Sequence, residues 1–260
     1  MPAAAAVLID IDGVLTVSWR AVPGTPAALQ RLRDAGLGIA LITNTTSRSR
    51  QSIAAALTNA GFGVGAAEIL TAPALTAAYL RQHHAGGRCL VLNSGDVRDD
   101  LGGVTIAEPG GPVDVVVVGG AGPEFGYDAL NQVFQLALDG VPLVAMHENL
   151  YWRTAKGFQL DGGAYLRAIE AAAGVHAVVI GKPAPACFHA AMRDLGVPPD
   201  AAVMVGDDLD ADVLAAQAAG LTGVLVRTGK FRAETLARAA AEPDYVLDSF
   251  ADLPTLLGLT

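Results

Sequence analysis

Short apolar runs recur along this chain at intervals that leave room for one helix between most pairs. They lie at residues 5–9, 38–42, 89–92, 113–118, 142–145, 177–180, 202–205 and 222–226. Amphipathic stretches at 25–35, 48–59, 128–138, 164–173, 186–195 and 210–219 separate many of them. Alternation of this kind predicts an α/β fold, with a parallel sheet covered by helices on both faces. Open sheets of that type bind ligands beyond the carboxyl ends of their strands. The residues just after each apolar run are therefore the ones to read for chemistry. With 260 residues, 52% of them hydrophobic, the chain can fill one large core or two smaller ones. No internal repeat interrupts the pattern, and the Gly/Pro-rich stretch 102–112 reads as a turn region.

Several function classes fall away at this level. No apolar stretch reaches the roughly 18–20 residues of a membrane span. The apolar start at 3–9 has no basic residues ahead of it and runs directly into Asp10, so it reads as a first strand and not as a signal peptide. A net charge of −9 argues against nucleic-acid binding. It is compatible with a phosphorylated small molecule, because a metal and a few cations reverse the field inside a pocket. Cys89 and Cys187 form neither a disulfide framework nor a zinc spacing, so the cytoplasm is the expected compartment.

The first strand ends as Leu8-Ile9-Asp10-Ile11-Asp12-Gly13. Residues two apart on a strand share a face, so Asp10 and Asp12 are expected to converge at the sheet edge, with Gly13 allowing a sharp turn. Two neighbouring carboxylates repel unless their roles are separated. A divalent cation does this by neutralising one, and a raised pKa does it by protonating the other. Asp10 then serves as nucleophile and magnesium ligand. Asp12 protonates the leaving oxygen and later takes a proton from water. Alone, such a pattern is more often a polar strand end before a turn.

The second run leads into Thr43-Asn44-Thr45-Thr46-Ser47. A hydroxyl beside free backbone N–H groups makes a phosphate seat, and Thr43 comes first beyond the run. Ser47 is expected to cap the next helix. Lys182 follows the run at 177–180, where an ammonium stabilises charge on a transferring phosphoryl group. Gly206-Asp207-Asp208-Leu209-Asp210-Ala211-Asp212 follows the run at 202–205. Asp208 and Asp210 suit a first helical turn, where the dipole favours acids. Asp207 is placed to complete an oxygen-rich magnesium site, and Asp212 to support that site or orient Lys182.

In order, Asp10-x-Asp12-Gly13, Thr43, Lys182 and Gly206-Asp207…Asp212 resemble the four motifs of the haloacid dehalogenase-like phosphatase superfamily. The resemblance implies a Rossmann-like parallel core with each motif at a strand's carboxyl end. The first two motifs lie too close for an inserted domain. The long interval before Lys182 is similar to the α/β cap of the C2 type, found in the NagD-like subfamily IIA. That places a catalytic core at 1–71 and 178–260 and a cap at 72–177. Within the subfamily, residues 43–46, 147–152, 181–183, 206–208 and 225–232 are similar to those of phospholysine phosphohistidine inorganic pyrophosphate phosphatase and its relatives.

The resemblance implies the following roles. Asp10 attacks phosphorus, and Asp12 is the acid/base, its backbone carbonyl also meeting Mg2+. Asp207 is the third protein ligand, with Asp212 behind the metal. Thr43 and Lys182 bind phosphoryl oxygens, with Asn44 alongside. The cap closes over the site, excludes water and sets specificity. His147, Asn149, Trp152 and Arg153 are expected in its pocket. Asp161 departs from the family's pattern, an acid standing where a small or neutral residue is expected, and its charge disfavours highly anionic substrates such as pyrophosphate. The expected activity is magnesium-dependent hydrolysis of a small phosphorylated metabolite (a phosphomonoester, pyrophosphate or a phosphoamino acid) through an aspartyl phosphate. A homodimer is expected from the cap type.

Other classes fit less well. The glycine-rich loop from Gly119 fails the dinucleotide fingerprint, because Phe125 stands where the last glycine is required. A phosphoacceptor signalling module would be shorter and has no use for Asp12. A dehalogenase needs neither Asp12 nor Asp207. A zinc protease reading of His147-Glu148 fails because Tyr151 stands where the second histidine is required. The remaining alternative is a phosphate- or nucleotide-binding regulatory protein with little turnover.

Overall fold

The computed structural model describes residues 4–154 and 157–259, with the side chains of Arg153 and Thr154 outside the described set. The pocket role expected of Arg153 therefore lies outside the described residues. In chain order the elements are β1 (Ala6–Ile9), the hairpin β2 (Thr16–Val17) and β3 (Arg20–Ala21), α1 (Thr25–Asp34), β4 (Gly38–Thr43), α2 (Arg50–Asn59) and β5 (Ile69–Thr71). There follow α3 (Ala72–His83), β6 (Arg88–Leu92), β7 (Thr105–Ile106), β8 (Val115–Val118), α4 (Tyr127–Leu138), β9 (Leu143–Ala145), a second hairpin β10 (Tyr151–Thr154) and β11 (Gly157–Leu160), α5 (Gly162–Ala173) and β12 (Val178–Val179). The chain closes with α6 (Pro185–Leu195), β13 (Ala202–Gly206), a π-helical turn at Leu209–Leu214, α7 (Ala215–Ala218), β14 (Thr222–Val226), α8 (Ala233–Ala237), β15 (Tyr245–Leu247) and α9 (Leu253–Leu256).

Two parallel sheets result. The first has the order β15-β14-β13-β1-β4-β5 and the second β12-β9-β8-β6-β7. Each is apolar on both faces, which is why its strands read as unbroken hydrophobic runs. In β1, Val7 and Ile9 face a core built with Leu29, Leu32, Ile53 and Leu57 from α1 and α2. Leu8 faces the opposite core, with Phe188 and Met192 of α6. The four valines of β8 divide likewise, Val115 and Val117 toward α3, Val116 and Val118 toward α4 and α5. Val178 and Val179 pair with β9, so the second sheet runs two residues beyond the boundary drawn at 177. No helix among the described residues is long and apolar enough to cross a membrane.

The first sheet fixes where chemistry can sit. From β1 the chain builds outward through β4 and β5 on one side, then through β13, β14 and β15 on the other. The order reverses between β1 and β13, which is where an open α/β sheet leaves a crevice at its carboxyl edge. Asp10 follows β1 and Asp207 follows β13.

Three local expectations need correction. Asp10 and Asp12 lie beyond β1, which ends at Ile9, so strand alternation is not what brings them together. Asp12 instead forms a bridge with Thr16 in the loop entering the first hairpin. The cap of α2 is Ser49, which accepts from the Ser52 N–H, and not Ser47. The stretch 44–48 is diverted to meet the second sheet, with Arg48 bridging Asp96. Finally, the helix expected at 210–219 starts as a π-turn capped by Asp208. Wide turns of this kind recur at functional sites.

Candidate active site

Lys182 is the hub. Its ammonium lies 2.6 Å from Asp10 Oδ1 and 2.6 Å from Asp212 Oδ1. All three residues are buried. Burial opposes the charge on Lys182, but the two carboxylates more than offset it and hold the ammonium above its ordinary range. Asn44 fixes the backbone from which that side chain extends. Its Oδ1 accepts the Lys182 N–H at 3.0 Å, and its amide donates to the Lys182 carbonyl at 2.8 Å. The amide expected beside the phosphoryl group is thus engaged with Lys182.

Asp207 is held by crowding. A Cβ on Gly13 would fall 1.9 Å from its Oδ2, and one on Gly229 would fall 1.8 Å away. Both glycines have positive φ, +91° and +60°, so the positions require glycine on two counts. Oδ2 accepts the Lys230 N–H at 2.6 Å. Burial, reinforced by the charges of Asp10 and Asp212, pushes the Asp207 carboxyl well up. Asp212 is pushed up to about 6, again by burial and against the pull of Lys182. Burial raises Asp10 too. The lysine stays charged, and the carboxylates outnumber the cations available to them.

Those carboxylates fit a divalent cation. One oxygen each from Asp10, Asp207 and Asp212 lie within 4.8 Å of one another. An all-oxygen, anionic donor set suits a hard ion such as Mg2+. Asp212, expected behind the metal, thus brings a carboxylate into the same cluster. Asp12 does not: its Oδ2 accepts the Thr45 hydroxyl at 2.9 Å. Thr43 donates in turn to Thr45 Oγ1 at 2.9 Å. Asp12 is open to the cleft, yet the protein packed around it raises its carboxyl through desolvation.

One cleft of about 440 Å³ joins these groups to residues from the second sheet. His147, Asn149, Trp152 and Asp161 line it, as do Gly120 and Ala121 of the glycine-rich loop. Asp161 is also the N-cap of α5. Thr45, Lys230 and Trp19 belong to the cleft but were not singled out from the sequence. Thr45 carried the signal of a second hydroxyl two residues after Thr43. Lys230 follows a glycine just beyond β14, another strand's carboxyl end. Nothing in the sequence marked Trp19, which sits with Ser18 at positive φ, 62° and 51°, in the turn of the first hairpin.

Residues 7–107 match the family described as haloacid dehalogenase-like hydrolase, and residues 179–253 match a related HAD-hydrolase-like family. Human haloacid dehalogenase-like hydrolase domain-containing protein 2 is 38% identical over 94% of this chain and 92% of its own length. The chain belongs to the haloacid dehalogenase-like hydrolases. It falls in their NagD-like branch, as expected from the motifs and the cap. Human phospholysine phosphohistidine inorganic pyrophosphate phosphatase is 34% identical over 96% of this chain and 93% of that protein. Among solved structures, a glycerol phosphate phosphatase from Mycobacterium tuberculosis in complex with magnesium superposes with a TM-score of 0.86 at 27% identity, over 96% of this chain and 76% of that one. As a member of this family the chain is an enzyme of the hydrolase class, built on a Rossmann-like parallel core with a C2-type α/β cap.

Proposed function

We propose that this hydrolase is a magnesium-dependent phosphatase for small phosphomonoesters, working in the cytoplasm through an aspartyl phosphate on Asp10. The observation that carries the reading is the Asp10–Lys182–Asp212 triplet beside Asp207, at the topological switch point of the first sheet. Phosphatases among both the sequence relatives and the structural neighbours support it.

In this reading the Lys182 ammonium orients Asp10 and draws the phosphoryl group toward it. An oxygen of Asp10 attacks phosphorus in line with the leaving oxygen. Asp12, whose raised pKa keeps a protonated form accessible, gives its proton to the departing alkoxide. Thr45 holds Asp12 in place through its hydroxyl, and the Thr43 hydroxyl, which donates to Thr45 Oγ1, would have to turn from that bond to meet a phosphoryl oxygen. Asp12, now ionised, takes a proton from the water that hydrolyses the acyl phosphate and regenerates Asp10. Mg2+, held by Asp10, Asp207 and Asp212 with the Asp12 backbone carbonyl, would offset the charge of the phosphoryl oxygens. Residues 72–177 would act as the cap that excludes bulk water.

The test is phosphate release from a panel of phosphomonoesters and pyrophosphate, with Mg2+ or EDTA, beside Asp10→Asn. Magnesium-dependent release that vanishes in a folded Asp10→Asn protein is the expected result. Wild-type rates in that variant would remove Asp10 from the nucleophile's role.

A further inference from the structure

His147 and Asp161 are buried polar side chains that line the cleft but have no part in the phosphoryl chemistry. Their hydrogen bonding is lopsided. His147 Nδ1 accepts the Asn149 N–H at 3.2 Å, so in the neutral ring the proton sits on Nε2. Burial favours that neutral ring by pulling the imidazole below its ordinary range. Asp161 Oδ1 accepts two backbone N–H groups, Gly162 at 2.7 Å and Ala121 at 3.0 Å. That leaves His147 Nε2 and Asp161 Oδ2, which stand 3.9 Å apart, too far for a bond between them. Among the described residues neither atom has a hydrogen-bond partner. One donor and one acceptor thus face the cavity side by side. An oxygen at about 2.8 Å from each would satisfy both.

Their position makes this a feature of the reaction cleft. Gly120 lies between the pair and the core. A Cβ placed on it would fall 3.6 Å from His147 Nε2, 3.4 Å from Asp161 Oδ1 and 2.3 Å from Thr46 Oγ1. Thr46 adjoins Thr45, which holds Asp12, the group proposed to protonate the leaving oxygen. The pair and Asp12 therefore line the same cleft, so a leaving group that Asp12 protonates would share that space with the pair. A carboxylate oxygen there repels a second anion, and an imidazole N–H beside it has nothing to give a methyl group.

We infer that His147 and Asp161 form a subsite for a hydroxyl on the leaving group, and that hydroxylated phosphomonoesters (polyol and sugar phosphates as a class) are the preferred substrates. This rests on the phosphatase reading above. A hydroxyl would accept from His147 Nε2 and donate to Asp161 Oδ2. A deoxy analogue would leave both groups unpaired on desolvation, the situation in which enzymes discriminate most strongly.

The experiment compares kcat/KM for glycerol 3-phosphate and n-propyl phosphate in the wild type, Asp161→Asn and His147→Phe. Asparagine can keep its oxygen on the two backbone N–H groups while presenting N–H2 in place of Oδ2. His147→Phe removes the donor at similar volume. The esters also differ in leaving-group basicity, which neither substitution alters, so the change in their ratio is the readout. The ratio is expected to favour glycerol 3-phosphate in the wild type and to fall about tenfold or more in either folded variant. An unchanged ratio in a folded variant overturns the subsite while leaving the phosphatase reading intact. If wild-type protein with magnesium releases phosphate from neither these esters nor the wider panel, the phosphatase reading fails and the subsite with it.

Discussion

Lys182 has only 4% of its side chain exposed and serves two carboxylates at once. Removing it leaves Asp10 and Asp212 buried beside Asp207 with neither of their ion pairs, and only Lys230 still sharing the cleft. Breaking a buried ion pair from one side costs about 3–5 kcal/mol, because the remaining charge is uncompensated. Lys182→Met is therefore expected to lower the unfolding free energy of metal-free protein by that much, measured by denaturant titration, and to reduce turnover at least about a hundredfold. A variant of wild-type stability would mean that these carboxylates are already protonated in the folded chain. Asn44 acts at the same scale but through the backbone. Sequence order placed it beside the substrate, since it follows Thr43 directly. The structure commits its amide to both backbone groups of Lys182, a contact spanning 138 residues that no local pattern can show.

At the scale of elements, the turn after β13 shows why a glycine precedes the late acidic cluster. A Cβ at Gly206 would lie 2.1 Å from the Cβ of Asp212. The π-turn brings Asp212 back over the strand end, where its Oδ2 accepts the Asp208 N–H and its Oδ1 reaches Lys182. Gly206→Ala should thus displace Asp212, cost about 1–3 kcal/mol by overpacking and depress turnover. Gly126→Ala, where nothing lies within 4 Å, serves as the control and should stay within about 0.5 kcal/mol of wild type. Equal effects at the two sites, by urea denaturation, would count against this packing argument. The same elements show what a sequence discloses. β1, β4, β13 and β14 were legible because strands covered on both faces must be apolar throughout, and Asp10 after β1 and Asp207 after β13 were legible as acids that meet at one sheet edge. The β10–β11 hairpin was not, since Trp152, Phe158 and Leu160 are exposed and no burial pattern marks it. The π-turn was read as ordinary helix, since the contact that Asp212 makes from it to Lys182 leaves no mark on the local pattern. The first hairpin also escaped notice: a two-residue turn with φ positive at both centres usually calls for Asn-Gly, and here it is Ser18-Trp19. The Arg48 guanidinium lies 4.9 Å from the Trp19 ring centroid, a tertiary contact that holds the strained turn.

Across the whole molecule, the two sheets meet around the cleft through specific ties. Asp100, buried, accepts from the Arg50 N–H at 3.0 Å and the Thr71 hydroxyl at 2.9 Å, and Asn93 donates to the Thr46 carbonyl at 2.9 Å. The charge enclosed between them is unbalanced, since Asp10, Asp12, Asp207, Asp208 and Asp212 share the cleft with Lys182 and Lys230. Stability should therefore depend jointly on pH and on magnesium. Asp212 titrates near 6 in the folded chain against 3.8 ordinarily, so between those values the folded state holds the proton more tightly than the unfolded one. Its contribution to metal-free stability accordingly falls as pH rises through that window. His147 works in the opposite sense, because its lowered folded pKa makes stability rise with pH until the ordinary value of 6.5 is passed. In the proposed reading magnesium would compete with the carboxylate protons and bind the ionised groups. Its stabilisation is set by mass action, about 2.7 kcal/mol at a hundred times Kd. The gap in Tm between magnesium and EDTA should therefore widen from pH 5 to pH 7, and comparing the two arms at each pH cancels the contribution of His147. A gap that is constant, or widest at pH 5, would place magnesium away from Asp10, Asp207 and Asp212.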